Sequence, residues 1–435
     1  MASTYLSRTP ASSGNRKTWT YSAWVKRGNL SSNQNFGINQ QDVANNNIMV
    51  FTLGTNNKLD IYDYNGAVSA QLITNRVFTD TSAWYHIVVA VDTTNATADD
   101  RMKIYVNGVQ ETSFSSRTNP SLNYDFNLNQ SGKLHVIGAY AISSIVNYFD
   151  GQMAHVHFID GTAYDASAFG QTDATSGIWK PKTSPSVTYG TNGFFLKFAN
   201  SASLGTDSSG NANNFTVNGS GTQTLDTPSN VFATMNPLFA RALNVNFSHG
   251  NTTGALASEG NQIIPSTLAV SSGKWYLEFK ANQQEAGAYM EFGIFPTYHT
   301  TVTPNYIGGL SDGYSLFKNG DFYNNNTIVE STGVTYGTSD IIGVALDLDS
   351  ATKTIKYYKN GTLGTTQNIT VTEDVYFAWR GFGSGEALSI NFGNGYFGTT
   401  AVSTPESDSA GIGKFEYSVP SGYYALCTKN IATYG

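Results

Sequence analysis

The chain has 435 residues and a formal net charge of −7, with 13% charged and 13% aromatic residues. Lys and Arg are not clustered, which argues against proteins that bind nucleic acids or anionic membranes, because both need a basic surface. Cys427 is the single cysteine, so an intrachain disulfide and a cysteine-based metal site are excluded.

Neither a secretion signal nor a membrane span is predicted. The first residues, MASTYLSRTPASSGN, lack the apolar run of a signal peptide. The most apolar run, WYHIVVAV from Trp84, is far shorter than the roughly 20 residues that a membrane helix needs.

Strand patterns dominate the first part of the chain. KTWTYSAWVKRG from Lys17 and WYHIVVAVD from Trp84 predict buried strands. KLDIYDYNGAVSAQLIT and MKIYVNGVQETSF predict hairpins, because Asn-Gly favours tight turns between strands. The one short helix candidate is YDASAFGQ from Tyr164.

The second part of the chain repeats this order. GKWYLEFKAN again opens with a Trp-bearing strand, and DIIGVALDLDSATKTIKYYKNG again runs through an Asp-terminated strand to a Tyr-x-Asn-Gly hairpin. YSLFKNGDFY predicts a further hairpin. The pattern predicts an all-β protein of two antiparallel β-sandwiches built on one plan. The alternative is that any antiparallel protein reuses the same hairpin chemistry.

Composition predicts the domain limits. Residues 1–180 form the first sandwich and residues 242–398 the second, joined by a Gly-, Ser- and Asn-rich bridge over residues 181–241. The bridge contains a strand, GFFLKF. Residues 399–435 form a tail whose aromatics predict that it docks: Phe415, Tyr417, Tyr423 and Tyr424.

Several of these motifs resemble known families. TWTYSAWVKRG, WYHIVVAVDTT, KIYVNGVQ and YFDGQMAHVHFIDG resemble the laminin-G-like, concanavalin A-like lectin jelly roll. SGKWYLEFKA, DIIGVALDLDSATKTIKYYKNG and LSINFGNGYF resemble a SPRY domain. The pairing, with GTDSSGNANNF, TPSNVFATMNP and YSVPSGYYALCTKN, resembles virion proteins of marine, cyanophage-like bacteriophages.

The resemblance implies a structural protein made in the host cytoplasm and displayed on the virion as a tail appendage, fibre or knob, or head decoration. Its expected partners are other virion proteins, further copies of the chain (a trimer by analogy) and host surface glycans, with no cofactor, nucleic acid or membrane insertion. Heptads, collagen triplets and β-helix repeats are missing, which favours a globular knob, tail appendage or head decoration over a long fibre. A bacterial surface adhesin would require a secretion signal.

Laminin-G-like domains also raise the question of calcium. Asp150, Asp160 and Asp165 lie close together in sequence, but Asp-Gly at 150 and 160 is equally typical of turns, so no metal site is predicted. His155 and His157 would share a strand face but lack the further ligands that zinc requires.

Concanavalin-like folds include glycoside hydrolases, so a virion-associated glycan-cleaving enzyme is the alternative function. Such enzymes need two carboxylates across the scissile bond. Asp347 and Asp349 are predicted to lie at a hairpin end, Glu406 and Asp408 in a Ser-rich tail, and Glu373 and Asp374 on opposite faces. Cys427 has no nearby His. The chain is therefore predicted not to be an enzyme.

The predicted ligand-binding residues lie around the variable loops of the SPRY-like sandwich, which make the recognition face in that family. Tyr298 and Tyr306 flank HTTVTPN, Tyr323 stands beside NNNT, and Trp379 and Arg380 lie close to GFGSGE. Aromatic residues also fill cores, so a structural role is the alternative for each.

Overall fold

The computed structural model describes residues 3–41, 47–141, 144–239, 244–284, 290–299 and 306–435. Strands are the main regular structure of the described chain, and apart from β23 with β37 the named strand pairs are antiparallel, which confirms the predicted all-β class of stacked sheets. It divides into two compact units, Met1–Gln223 and Thr224–Gly435. Each unit has its own core.

The first unit contains nineteen described strands and two 3-10 turns, Ala98–Asp100 and Ala166–Ala168. The strands are β1 (Tyr5–Arg8), β2 (Thr18–Arg27), β3 (Gln34–Asn35), β4 (Ile38–Gln41), β5 (Asn47–Leu53), β6 (Lys58–Asn65), β7 (Val68–Val77), β8 (Tyr85–Asp92), β9 (Met102–Val106), β10 (Val109–Gln110), β11 (Phe114–Thr118), β12 (Leu134–Ile137), β13 (Tyr140–Ala141), β14 (Ile145–Val146), β15 (Gly151–Asp160), β16 (Gly170–Thr172), β17 (Trp179–Pro181), β18 (Phe194–Leu196) and β19 (Thr216–Asn218).

Two sheets of the first unit enclose its core. A six-stranded sheet in the order β10-β9-β8-β2-β15-β18 faces a five-stranded sheet in the order β11-β7-β6-β5-β3. Tyr21 of the first sheet and Phe51 of the second meet in the core, with ring centroids 4.9 Å apart. A third sheet, β19-β1-β12-β4, joins the start of the unit to its end.

The second unit contains the remaining described strands, the 3-10 turn Ile307–Gly309 and one helix, α1 (Thr428–Tyr434). The strands are β20 (Val245–Ser248), β21 (Thr253–Leu256), β22 (Gln262–Val270), β23 (Lys274–Gln283), β24 (Glu291–Pro296), β25 (Tyr314–Phe317), β26 (Asp321–Asn324), β27 (Thr327–Ser331), β28 (Ile341–Asp347), β29 (Thr354–Lys359), β30 (Thr362–Asn368), β31 (Val375–Gly381), β32 (Ala387–Asn391), β33 (Tyr396–Phe397), β34 (Thr400–Ala401), β35 (Glu406–Ser407), β36 (Lys414–Phe415) and β37 (Tyr424–Ala425).

The second unit is also a two-layer sandwich. Its larger sheet runs β20-β21-β32-β23-β28-β29-β30, and β37 adds to β23 in the parallel direction. The other sheet runs β22-β31-β24-β25-β26-β27. Phe279 and Phe292 stack across the interface between the two sheets, with ring centroids 4.5 Å apart.

The twin hairpins occupy equivalent places in the two units. In the first unit β2 pairs with β8 so that Thr18 lies opposite Asp92, and in the second β23 pairs with β28 so that Lys274 lies opposite Asp347. The next residue on each first strand is a fully buried Trp, at positions 19 and 275. This shared register confirms the prediction of one plan for both sandwiches.

The turns of these hairpins have the same conformation and the same anchoring. Asn107 and Gly108 both have positive φ (49° and 86°), as do Asn360 and Gly361 (47° and 83°), which is the type I′ turn. Each Asn side chain accepts a hydrogen bond from a backbone N–H of the adjoining strand, at 2.8 Å in the first unit and 2.9 Å in the second. At the other five Asn-Gly pairs the Asn has negative φ, so the dipeptide does not form that turn there.

A later segment of each unit covers the outer face of its larger sheet. In the first unit this strap contains Phe169 and Trp179, and in the second it contains Phe415 and Tyr423. The strap also covers each turn: a Cβ on Gly108 would come within 2.8 Å of the Trp179 ring, and one on Gly361 within 2.6 Å of Tyr417. Of the C-terminal aromatics predicted to dock, Phe415 and Tyr423 are 0% and 4% exposed.

The predicted bridge, residues 181–241, is divided between the two units. Strand β18 lies beside β15, and β19 pairs with β1, so both complete sheets of the first unit. Residues from 224 onward belong to the second unit, and 240–241 lie outside the described residues. The predicted helix at Tyr164 is only a 3-10 turn followed by β16, whereas α1 was not predicted. Among the described residues, no helix is long and apolar enough to cross a membrane.

Candidate binding site

Two predicted ligand-binding residues, Trp379 and Arg380, lie on strand β31. Successive side chains of a strand point to opposite faces. Trp379 points into the core of the second unit and is 0% exposed, while Arg380 points to the outer face of the six-stranded sheet. The expectation that both are loop residues close to the surface is wrong, because both lie within the strand and Arg380 is only 5% exposed.

Arg380 is held in a buried polar group beneath the outer surface. Its Nε lies 3.7 Å from Oε1 of Glu291, and its Nη2 donates a hydrogen bond to Asn261. Glu291 also accepts hydrogen bonds from the Ile307 backbone N–H at 3.1 Å and from the Ser315 hydroxyl. Burial raises the pKa of Glu291, although Arg380 acts in the opposite direction. Arg380 therefore contacts other residues of the second unit beneath the surface, where a ligand does not reach it.

Two other predicted residues, Tyr306 and Tyr323, come together in an aromatic cluster with Phe317. The ring centroids of Tyr306 and Tyr323 are 5.7 Å apart, and those of Phe317 and Tyr323 are 4.5 Å apart. The Tyr306 hydroxyl donates to the side chain of Asn326. Both tyrosines are half-buried, so each leaves part of its ring available at the surface. We call these three residues the aromatic cluster.

Tyr298 lies on the loop after β24 and is the most exposed of the five predicted residues, at 51%. Its hydroxyl donates a 2.6 Å hydrogen bond to Oδ1 of Asp312, and its ring centroid lies 4.3 Å from that of His299. The rest of the HTTVTPN segment, residues 300–305, lies outside the described residues. Tyr298, Tyr306 and Tyr323 are therefore the accessible members of the predicted set.

A second candidate site lies in the first unit and was missed by the sequence analysis. Asp60 and Tyr62 point outward from β6, on the face of the five-stranded sheet away from the core. Gln71 on β7 donates to both carboxylate oxygens of Asp60, at 3.0 and 3.3 Å. Tyr140 on β13 lies next to Tyr62. The available signal was the alternation in KLDIYDY, which separates Asp60 and Tyr62 from the buried Leu59 and Ile61.

The carboxylates considered as catalytic pairs in the sequence analysis either accept hydrogen bonds within the protein or are exposed. Asp347 accepts hydrogen bonds from the backbone N–H groups of Asp349 and Ser350 and pairs with Lys274 at 2.8 Å, which confirms the hairpin-end interpretation. Asp408 is buried and accepts three backbone N–H groups of the strap. Glu373 is exposed on the loop before β31.

His155, His157 and Cys427 are partly or fully buried, and burial disfavours the charged form of each. A bulge between Ala154 and His157 interrupts the alternation that predicted His155 and His157 on one face, yet both rings lie near Phe195, at 5.7 and 3.9 Å. Burial lowers the pKa of His155 to about 4. Burial also raises the pKa of the fully buried Cys427 thiol, so its reactive thiolate form is disfavoured.

The three aspartates considered as calcium ligands, Asp150, Asp160 and Asp165, accept hydrogen bonds from other groups of the first unit. Asp160 accepts from the Asn192 N–H at 3.0 Å and from the Asn129 side chain at 2.8 Å. Asp165 accepts from the Ser167 N–H at the start of its 3-10 turn, and the Asp150 carbonyl accepts from Gly28. Across the described ranges, no three His, Cys, Asp or Glu side chains are grouped so that they could hold a metal ion.

Comparison with known proteins agrees with the architecture of the first unit. Residues 2–167 match a family model described as the concanavalin A-like lectin/glucanases superfamily. This match covers the strands from β1 to β15 and the turn that follows them. None of the curated proteins compared with the chain matches it.

Solved SPRY domains are among the structures similar to the chain. The SPRY domain of human HERC1 is 18% identical over 36% of this chain and 96% of its own, with a TM-score of 0.29. A second human SPRY domain is 19% identical over 34% and 94%, with a TM-score of 0.28. The PSpry domain of TRIM65 is 15% identical over 37% and 88%, with a TM-score of 0.30. We draw no functional inference from these likenesses.

Proposed function

We propose that this chain is a non-catalytic binding protein on the surface of a bacteriophage virion, where it contacts other virion proteins and binds host surface glycans. The observation that carries the proposal is the match of residues 2–167 to the concanavalin A-like lectin/glucanases superfamily. The outer faces of the five-stranded sheet in the first unit and of the six-stranded sheet in the second support it, because they carry half-buried polar aromatic and amide side chains such as Tyr62, Gln71 and Tyr323, groups that suit sugars.

The non-catalytic part of the proposal is supported by the state of the acidic residues. Glycoside hydrolysis needs two carboxyl groups roughly 5–9.5 Å apart on either side of the bond. Asp347 and Asp349 are bound within a hairpin end, since Asp349 accepts from the Gly273 N–H at 2.6 Å. Asp408 accepts hydrogen bonds from three backbone N–H groups of the strap. These carboxylates therefore hold parts of the second unit together.

The virion part of the proposal is supported by the order of motifs in the sequence and by an argument from affinity. A shallow sugar site typically binds with a Kd of about 1 mM, or near −4 kcal/mol. Display of many copies on one particle raises the overall avidity by roughly 10²–10⁴. Weak, exposed aromatic sites therefore become useful on a multivalent surface, and oligomerisation of the chain as a trimer would add to this.

Antibody labelling tests the virion proposal. Purified particles of the phage that encodes the chain are incubated with antibody raised against it and viewed by electron microscopy. We expect label at a fixed place on the particle, either tail or head. Antibody depleted on the recombinant protein is the control. Particles without label, in preparations where an antibody to the major capsid protein does label, would contradict the proposal.

A further inference from the structure

The outer face of the five-stranded sheet in the first unit has an arrangement of polar groups that the sequence analysis did not assign. Asp60 and Tyr62 are neighbours on this face of β6. The strand register places Thr52 of β5 and Ile73 of β7 on either side of Asp60, and Gln71 beside Tyr62. All five side chains are half-buried, so the face is partly shielded but open to solvent.

The Asp60 carboxylate has unused capacity to accept hydrogen bonds. Its contacts within the described residues are the two hydrogen bonds from the Gln71 side-chain amide. A carboxylate can accept about four hydrogen bonds, and a half-buried one gains from each added donor. Asp60 forms no ion pair with a Lys or Arg in the described part of the chain. It is thus a fixed acceptor whose remaining lone pairs need donors from a ligand or from water.

Two tyrosines lie on or beside this face. Tyr62 lies two residues from Asp60 on β6, and Tyr140, on the separate β13–β14 hairpin, lies next to Tyr62. Both rings are half-buried and thus leave part of their surface exposed. Aromatic rings offer a rigid apolar surface beside a polar end. A ligand on this face would therefore meet apolar rings and a hydrogen-bond acceptor together.

We propose that this face is a subsite for a neutral saccharide, in which the Asp60 carboxylate accepts hydrogen bonds from two adjacent sugar hydroxyls while Tyr62 and Tyr140 pack against the ring. The inference rests on the proposed glycan-binding function and names the ligand class. Adjacent hydroxyls supply two parallel O–H donors, which match the two oxygens of a carboxylate. The negative charge of Asp60 disfavours uronic acids and sulfated sugars, which gives the site a basis for selection.

The same geometry makes binding depend on pH. Burial raises the pKa of Asp60 to about 6. The carboxylate therefore loses its charge between pH 7.5 and 5, and with it much of its strength as an acceptor. Within the described residues, this face holds one other charged group, Lys58, and is bordered by the phenols of Tyr62 and Tyr140; its remaining side chains near Asp60 are Thr52, Gln71, Ile73 and Ser116. Burial raises the pKa of Tyr62 and of Tyr140, so both phenols stay protonated in that interval.

The test uses the full chain and immobilised oligosaccharides. The probes are neutral oligosaccharides ending in glucose, galactose, mannose or fucose, and matched ones ending in a uronic acid. Wild type is compared with Asp60→Asn, with Tyr140→Ala on the separate hairpin, and with Asp99→Asn. The last is the control, since it removes the same charge from an exposed loop where Asp99 pairs with Arg117.

We expect wild type to bind at least one neutral probe, more tightly at pH 7.5 than at pH 5, and to reject its uronic acid counterpart. Asp60→Asn should weaken neutral binding by roughly 10- to 100-fold, as expected for lost charge-assisted hydrogen bonds, and should abolish the pH dependence. Tyr140→Ala should weaken binding and keep the pH dependence. Asp99→Asn should bind as wild type does.

Two outcomes would overturn the inference in distinguishable ways. If wild type binds neutral probes and Asp60→Asn keeps both the affinity and the pH dependence, the site is elsewhere and the proposed function stands. If folded wild type binds none of the probes at either pH, both this inference and the glycan-binding part of the proposed function fail.

Discussion

Arg380 illustrates how position within a strand decides the role of a single residue. Its side chain is nearly inaccessible and lies 3.7 Å from the fully buried Glu291. A buried ion pair adds little net stability, but removing one partner leaves an uncompensated charge and is strongly destabilising. Arg380 is thus a residue on which the second unit depends, rather than a contact for ligands.

We expect Arg380→Met to lower the free energy of unfolding of the second unit by about 3–5 kcal/mol. The loss should be smaller at pH 5 than at pH 8, because Glu291 without its partner takes up a proton more readily in the folded state. Denaturant unfolding at the two pH values measures this. Lys274→Met is the matched control, since it breaks the partly exposed pair with Asp347 and should cost less than about 1 kcal/mol. Equal losses for both variants would contradict the argument.

At the scale of single residues, the sequence indicates which face of a strand each side chain occupies, but not which side chains of neighbouring strands it contacts. The alternation in VYFAWRG places Val375, Phe377 and Trp379 on one face, so the burial of Trp379 could have been predicted from the pattern. The pairing of Arg380 with Glu291 could not, because the partners are brought together by the register of β24 with β31. Asp60 was missed for the same reason, since its partner Gln71 lies on the next strand.

At the scale of elements, the twin turns fix how the strands of each larger sheet meet. Asn107 and Asn360 each combine a left-handed backbone with a side-chain acceptor for the neighbouring strand. Asn tolerates the left-handed region better than most residues, and its amide oxygen satisfies a backbone N–H at the end of the sheet. The conformation and the contact are therefore supplied by one side chain.

We expect Asn107→Ala and Asn360→Ala each to destabilise their own unit by about 1–3 kcal/mol, through the lost hydrogen bond and the left-handed φ. Glycine at either position should cost less than alanine, because it removes the backbone strain and keeps only the lost hydrogen bond. Asn319→Ala is the control, since Asn319 also precedes Gly but has negative φ and an exposed side chain contact. Thermal unfolding measures all of these. A loss at Asn319 as large as at Asn360 would contradict the account.

Hairpins and buried strands were predictable because their signals are local. The Asp-terminated strands β8 and β28 and the hairpin β6–β7 follow from alternation and Asn-Gly alone. The helix α1 was missed because TKNIATY is short and rich in Thr, a poor helix former, and its packing against the second unit is what favours it. The partners of the bridge strands β18 and β19 could not be predicted, because they pair with strands that are distant in sequence.

At the scale of the whole molecule, the two units differ in their buried ionisable groups. The first unit buries histidines as neutral rings: burial lowers the pKa of His86 to about 3 and of His135 and His155 to about 4, and His157 well below its usual value. The second unit buries acids instead. Burial raises the pKa of Glu278 to about 7 and also raises those of Glu291 and Glu386.

These differences predict opposite responses to acid. As pH falls from 7 to 5, the unfolded histidines bind protons that the folded ones do not, so the first unit loses stability; its two raised acids, Asp60 and Asp63, offset part of this. In the second unit the folded acids bind protons that the unfolded ones do not, so stability rises over the same interval. Hydrogen exchange of the buried strands β8 and β28, corrected for the intrinsic effect of pH, reports each unit. A shift of both units in the same direction would contradict the prediction.

The central proposal is that the outer face of the smaller sheet in each unit binds a glycan without cleaving it. The most direct measurement incubates the protein with surface polysaccharide purified from the host cell, then determines the fraction retained on the immobilised protein and the number of reducing ends in the same sample. The account predicts retention of the polysaccharide with no increase in reducing ends over buffer alone. New reducing ends that increase with time, or the absence of any retention by the folded protein, would contradict it.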